Sequence, residues 1–280
     1  MTYERVVFMR QKRIALINDV TGYSRCSVAV QLPIISAMAI ECVFIPTAIL
    51  SINTYHQDYF FDDYTDKMND YIATYKKINL EVDGIVTGFL GSAKQIDIVI
   101  DFIKNFKRED TFVLVDPVRG DHGKLYSTYT VKMQNKMREL IPYASIMTPN
   151  LTELCALLEI DYLEETPSYE QLFLMCQSLA KNGPQMIVVT GLAQGEEIIN
   201  YVYEKGKEAR VIKVQRIGDD RSGTGDVISG VLAGKYLWKR DFYQSVKSAT
   251  DFASKCIDYS QKIGADNHMG LCFEPFLKEL

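Results

Sequence analysis

Short apolar runs alternate along this chain with longer stretches in which apolar residues recur every three or four positions. That alternation is the pattern of βαβ units feeding a mostly parallel sheet. Arg13 to Asn18 (RIALIN) predicts a first strand, followed by a loop through Ser27 and an apolar helix to Ile40. Cys42 to Ala48 is a second extended run. Tyr64, Met68, Ile72 and Tyr75 fall at helical spacing and predict a helix over Asp62 to Ile78. Gly84 to Gly88 is a short strand, Ser92 to Phe106 an amphipathic helix, and Thr111 to Asp116 a strand ending on a carboxylate. Ser145 to Thr148 predicts a brief strand before a helix that starts near Asn150, and Gln171 to Lys181 a further helix. Gln185 to Thr190 is the next strand. Glu197 to Glu204 and Glu208 to Gln215 flank Lys205-Gly206-Lys207 as an antiparallel edge hairpin. The chain closes on two helices, Asp226 to Trp238 and Phe242 to Gln261.

Ligands of such sheets bind beyond the carboxyl ends of the strands. The ends predicted here carry Asn18-Asp19, Thr87-Gly88, Asp116, Thr148 and Thr190. Any one of these is an ordinary cap or turn residue. Five polar ends on one rim are more than strand termination requires.

Composition narrows the reading. The chain has 280 residues, 47% hydrophobic and 24% charged, which suffices for one sizeable core. No repeat, low-complexity tract or Pro/Gly-rich linker interrupts it, so a single domain over 1–280 is expected. A net charge of −5 supplies no basic field for nucleic acid or an anionic membrane. The opening Met1-Thr2-Tyr3-Glu4-Arg5 lacks the apolar centre of a signal peptide. No window approaches the roughly 18 apolar residues of a membrane span. A soluble, cytoplasmic protein is the expectation. Cys26, Cys42, Cys155, Cys176, Cys256 and Cys272 are scattered without a CxxC pair, which reads as buried small hydrophobes. His56, His122 and His268 are too far apart to suggest a metal site by spacing.

Three segments bear on chemistry. Ser222-Gly223-Thr224-Gly225-Asp226 precedes an apolar helix. Its glycines permit a tight turn with successive N–H groups close to an anion, and the positive end of the helix adds to the attraction. The same residues also read as a plain glycine turn with Asp226 as a helix cap. No Lys follows the last glycine, so this is not a Walker A loop, and the third glycine of a dinucleotide fingerprint is missing. Thr148-Pro149-Asn150-Leu151-Thr152-Glu153 places an acid three residues after Asn150, which is equally a capping box. Asp116-Pro117-Val118-Arg119-Gly120-Asp121 puts two acids at a strand end, where they could hold Mg²⁺ through water or simply make a turn.

Together these segments resemble the ribokinase superfamily, which carries a Gly-Thr-Gly-Asp anion hole and an Asn-Xaa-Xaa-Glu magnesium motif, present here as Gly223 to Asp226 and Asn150 to Glu153. Within it, Thr87-Gly88-Phe89-Leu90-Gly91-Ser92, Asp116-Pro117-Val118, Gly123-Lys124-Leu125-Tyr126 and Thr148-Pro149-Asn150 are similar, in order, to segments of the pyridoxal kinase family. The resemblance implies a Rossmann-like α/β fold with a mostly parallel central sheet, ATP and Mg²⁺ (often with a monovalent cation such as K⁺), and a homodimer. It further implies vitamin B6 phosphorylation with Asp226 as general base and Gly223, Thr224 and Gly225 around the transferring phosphate. By the same resemblance Asp116, Asp121 and Glu153 organise Mg²⁺, while Asp121, Thr148, Asn150 and Thr190 line the nucleotide side. Asp19, the stretch from Leu50 through Asn53 to Thr54, and Phe89 surround the acceptor ring.

Three positions depart from that family. Asp19 stands where many pyridoxal kinases have serine, Asn53 where their Asn-His-Thr segment has histidine, and Phe89 where tyrosine is common. Asp19-Val20-Thr21-Gly22 is similar to the Asp-rich opening of hydroxymethylpyrimidine kinases of thiamine synthesis, a branch that usually has cysteine where this chain has Asp226. A catalytically inactive vitamin-binding protein would be expected to have lost the base or the magnesium carboxylate. Both are present.

Overall fold

The computed structural model describes residues 10–118, 120–125 and 131–280, so Arg119 and Tyr126 of the segments above lie outside the described residues. The chain runs β1 (Arg13–Tyr23), α1 (Val28–Ala37), β2 (Glu41–Ile52), β3 (Phe61–Asp63), α2 (Thr65–Lys77), β4 (Gly84–Thr87), α3 (Ala93–Phe106) and β5 (Phe112–Val115). A small hairpin follows, β6 (Gly120–Asp121) and β7 (Lys124–Leu125), then α4 (Val131–Met137), β8 (Ile146–Met147), α5 (Leu151–Leu157) and α6 (Tyr169–Ala180). Next come β9 (Met186–Gln194), β10 (Glu197–Glu204), β11 (Arg210–Gln215), α7 (Thr224–Lys239) and α8 (Phe242–Lys262).

Nine strands form one sheet in the order β11-β10-β9-β8-β5-β4-β1-β2-β3. Every pairing from β2 across to β9 is parallel. Antiparallel strands close both edges, β3 at one and the β10–β11 hairpin at the other. A parallel sheet must be covered on both faces, which is why its strands read as unbroken apolar runs. Ile14 and Leu16 of β1 join a core with Ile34 of α1, Val231 of α7 and Val246 of α8. Ala15 and Ile17, one residue out of phase, join the opposite core with Met68 of α2, Val99 of α3, Leu154 of α5 and Leu172 of α6.

The structure departs from the periodicity in two places that matter for the site. The first strand does not stop at Asn18. It continues to Tyr23, pairing with β2 through a register shift between Asn18 and Val20. The helix expected from Asp62 begins only at Thr65, because Phe61–Asp63 pairs with β2 instead. There Asp63 Oδ1 accepts from the Thr65 N–H at 2.8 Å, a local bond that competes with helix continuation.

Candidate active site

From β1 the chain moves to β2 on one side and later returns to β4 on the other, so the β1–β4 boundary is the topological switch point where open α/β sheets bind ligands. Asn18 and Gly88 sit at that boundary. The Gly88 N–H donates to Ile17 O at 2.9 Å, and a Cβ added to Gly88 would lie 2.3 Å from Asn18 Nδ2, so only glycine lets the two strand ends close. The site residues expected from the sequence all line one cleft of about 560 Å³ above this point.

The floor of the cleft is the turn into α7. Gly223 is the N-cap in a left-handed conformation (φ +73°), and a Cβ there would be 2.1 Å from Arg25 O. A side chain at this position is therefore excluded twice, by conformation and by space. Thr224 ties its hydroxyl back to Arg221 O at 2.8 Å. Gly225 borders Asp116, whose Oδ2 would be 3.9 Å from an added Cβ. The turn thus directs backbone N–H groups and the positive end of a sixteen-residue helix into the cleft.

Asp226 is the third residue of α7, not its cap. Its carboxylate turns away from its own helix: Oδ2 accepts from the Ser27 N–H at 2.7 Å, and Asn18 Nδ2 stands 3.4 Å from Oδ1. Burial pushes its pKa up to about 7, the neighbouring Asp19 adds to the rise, and the Ser27 and Asn18 donors oppose it. A carboxyl group balanced near neutrality is suited to accepting a proton from an alcohol.

Two further acids are buried nearby, Asp116 at the end of β5 and Glu153 in α5. Burial, followed by the charges of Glu153 and Asp226, holds the Asp116 carboxyl well above the usual carboxylate range. The capping box read from the sequence is realised, with Asn150 Oδ1 accepting from the Glu153 N–H at 2.9 Å and Glu153 Oε2 accepting from the Asn150 N–H at 3.0 Å. Asn150 Nδ2 also donates to Gly120 O at 2.8 Å, fixing the β6–β7 hairpin to this helix start. Among the described residues no group of three or more acid, cysteine or histidine side chains converges as a metal site. Asp116 and Glu153 fit a hydrated divalent cation, since buried like charges require a counterion and Mg²⁺ keeps several of its waters. Asp121 stands apart from that pair: it is half-exposed, accepts from the His122 N–H at 2.9 Å, and shares the cleft mouth with an ion pair between His122 Nε2 and Asp220 Oδ2 at 2.7 Å.

At the other end of the cleft, Asp19 is 4% exposed and accepts from the Thr21 hydroxyl at 2.8 Å; burial raises its pKa. It lies within a continuing strand, so the loop expected from Asn18 begins only after Tyr23. Phe89 is pinned at both backbone groups, its N–H donating to Asn18 Oδ1 and its C=O accepting from Thr47 Oγ1, each at 2.8 Å. Asn53 Nδ2 donates to His268 O at 2.6 Å. Leu50 and Thr54 complete this wall. Asn53 Oδ1 and Thr148 Oγ1 are buried cleft atoms with no hydrogen-bond partner among the described residues, which marks polar positions for a ligand to meet.

Thr190 pairs with Asn150 through an isolated bridge, on the same wall of the cleft as Thr148. The wall beyond it was not legible in the sequence. Gly191 N–H donates to Asn200 Oδ1 and Asn200 Nδ2 to Thr250 Oγ1, which brings the edge hairpin and α8 into the cleft together with Val214, Ile217 and Ile257. Polar Asn200 inside an apolar strand was the one available signal.

This architecture is the ribokinase-type α/β fold. The chain belongs to the phosphomethylpyrimidine kinase family, whose sequence pattern matches residues 30–270. It is 26% identical over 200 residues to a pyridoxal kinase of Arabidopsis thaliana, covering 68% of this chain and 62% of that enzyme. It is 28% identical over 187 residues to a hydroxymethylpyrimidine/phosphomethylpyrimidine kinase of Aquifex aeolicus, covering 65% of this chain and 70% of that enzyme. Among solved structures, a Bacteroides thetaiotaomicron protein provisionally described as a phosphomethylpyrimidine kinase and crystallised with pyridoxal superposes with a TM-score of 0.93 at 34% identity over 96% of each chain. Pyridoxal kinase from Lactobacillus plantarum has the same fold, with a TM-score of 0.88 at 20% identity over 97% of this chain and 96% of that one.

Proposed function

We propose that this protein is an ATP-dependent kinase that phosphorylates the 5′-hydroxymethyl group of a vitamin B6 vitamer. The observation that carries the reading is the placing of Asp226: at the foot of a glycine turn, its carboxylate held by the Ser27 N–H at 2.7 Å and its pKa pushed up to about 7 by burial, in the same cleft as the buried Asp19 carboxylate. Asp226 accepts the hydroxymethyl proton as that oxygen attacks the terminal phosphorus of ATP and the bond to the ADP oxygen breaks. Backbone N–H groups of Gly223, Thr224 and Gly225 offset the negative charge on the phosphoryl oxygens in flight. Asp116 and Glu153 would hold Mg²⁺ through water, and the ion would supply further charge neutralisation on the phosphates. Thr148, Asn150 and Thr190 lie on the nucleotide side, and Leu50, Asn53, Thr54 and Phe89 around the acceptor.

Asp19 favours the B6 acceptor, because a carboxylate facing a ring nitrogen stabilises the protonated pyridine, and a pyrimidine is less basic. The Bacteroides structure with pyridoxal points the same way. The second reading is hydroxymethylpyrimidine kinase. It is favoured by the family match and the Aquifex relative, with Asp19 receiving the exocyclic amine. A homodimer in the cytoplasm is part of the proposal. No helix among the described residues is long and apolar enough to cross a membrane. Exposed Tyr23, Ile49, Phe60 and Phe61 near the β3 edge give a second copy an apolar surface to cover. ADP release coupled to a reporter, measured with pyridoxal, pyridoxamine, pyridoxine and hydroxymethylpyrimidine, tests the function. Turnover with the pyrimidine alone overturns the B6 reading.

A further inference from the structure

Beneath Asp226 three wholly buried polar side chains from three elements close a ring: Asn18 of β1, Gln31 of α1 and Ser229 of α7. Asn18 Nδ2 donates to Gln31 Oε1 at 2.9 Å, and Gln31 Nε2 donates to Ser229 Oγ at 2.8 Å. Ser229 Oγ in turn reaches the Asp226 C=O at 3.3 Å, and the second hydrogen of Asn18 Nδ2 points to Asp226 Oδ1 at 3.4 Å. The carbonyl end of the same Asn18 amide accepts from the Asp19 N–H at 2.9 Å and the Phe89 N–H at 2.8 Å.

An asparagine side chain offers two donors and two acceptor positions, and here all four are used. The amide cannot rotate by half a turn, since that would set its NH₂ against two backbone N–H donors. Its orientation is therefore determined by β1 and the β4–α3 connection, and its donor side must face Asp226. One residue holds the carboxylate of α7 and the aromatic wall of Phe89 in a common register, although they come from segments far apart in the sequence.

We infer that Asn18 is a positioning residue for phosphoryl transfer, acting through the Asp226 carboxylate with Gln31 and Ser229 as its support. The inference rests on Asp226 being the base. Buried networks of this kind also serve stability alone, so the test must separate position from packing.

A double-mutant cycle does so. Asn18→Ala is expected to lower kcat by about 10–100-fold, within the usual worth of a proton acceptor, with KM for ATP within about twofold of the parent, as removal of a transition-state interaction requires. In an Asp226→Asn background the same Asn18→Ala change should cost less than about threefold, because the group it positions is already gone. An undiminished loss in that background overturns the inference and leaves the base assignment standing. Near-full turnover in Asp226→Asn alone overturns both. Should Asn18→Ala fail to fold, Ser229→Ala carries the same cycle. It does not line the cleft and removes one hydroxyl, which also bonds the Asp116 carboxyl, so the Mg²⁺ midpoint is read alongside. A kcat loss of about threefold to tenfold that vanishes in Asp226→Asn with the Mg²⁺ midpoint unchanged supports the inference, and an unchanged kcat, an additive loss or a shifted Mg²⁺ midpoint overturns it.

Discussion

Ser27 and Asp226 are 199 positions apart, yet the Ser27 backbone N–H donates to Asp226 Oδ2 at 2.7 Å. The loop between the first strand and first helix thus seats a carboxylate carried by the seventh helix. Because the donor is a backbone group, no side-chain substitution at position 27 removes it directly. The carboxylate is held from one side by the chain itself and from the other by Asn18.

That seating gives the first prediction. Asp226→Asn keeps the shape and one acceptor oxygen, so ATP binding should persist while turnover falls by about 10²–10⁴-fold. In the parent enzyme kcat/KM should rise with pH and level off above about 7, where the carboxyl group is ionised. Stability has the opposite sign. The folded-state pKa is raised, so the contribution of Asp226 is fully present below its ordinary value of 3.8 and is lost as pH rises through about 7. Melting temperatures of parent and Asp226→Asn, compared from pH 5 to pH 8, should therefore diverge in favour of the variant as pH increases.

Glu153→Gln separates the cap from the metal role. A glutamine can still accept from the Asn150 N–H, so the capping box is largely kept and stability should change by less than the roughly 0.5–2 kcal/mol of a lost cap. The Mg²⁺ midpoint of turnover should move to higher concentration. An unchanged Mg²⁺ titration would leave Glu153 as a capping residue only.

Asp19→Asn should raise KM for pyridoxal by about 10–100-fold with a smaller change in kcat, since a charge-assisted hydrogen bond contributes roughly 1.5–3 kcal/mol. Measured beside it, hydroxymethylpyrimidine distinguishes the two acceptors. If the pyrimidine alone suffers, Asp19 reads an amine and the thiamine-pathway assignment moves ahead.

The His122–Asp220 ion pair makes a fourth case. Its hydrogen bond to Asp220, helped by Asp121, raises the His122 pKa above the ordinary 6.5. The pair is therefore fully formed below pH 6.5 and is lost as pH rises through the elevated value. Imidazole resonances followed by NMR should show His122 titrating above 6.5 in the parent and returning toward 6.5 in Asp220→Asn.

Much of this site was readable from residue order. Five polar strand ends marked the rim because parallel strands ending at a cleft need polar side chains there, and Lys205-Gly206-Lys207 marked the edge hairpin because it interrupts two extended runs. The continuation of β1 was hidden: Asp19-Val20-Thr21-Gly22 reads locally as the start of a loop, and only pairing with β2 across a register shift keeps it extended. Asp62-Asp63 falls inside the helix expected over Asp62 to Ile78 for the same reason, its partner strand lying outside the local window. Asn18 was visible as a strand end but not as a hub. Its partners lie 13, 71 and 208 positions away, and no local periodicity encodes them.

The unequal lengths of β1 and β4 have a wider consequence. β1 pairs with β4 only from Ile14 to Ile17, but with β2 as far as Tyr23, so a ribbon of β1, β2 and β3 overhangs the sheet and carries Asp19, Leu50 and Asn53 with it or at its tip. Asp116, Glu153 and Asp226 belong to other elements, anchored in the covered body of the sheet and its flanking helices. On the proposed reading, most of the acceptor side therefore sits on a peripheral ribbon and most of the phosphate side on the covered body, with Asn18 and the Ser27 N–H as the joints between them. Substitutions along the ribbon beyond those joints can alter the acceptor wall without moving the carboxylate of α7.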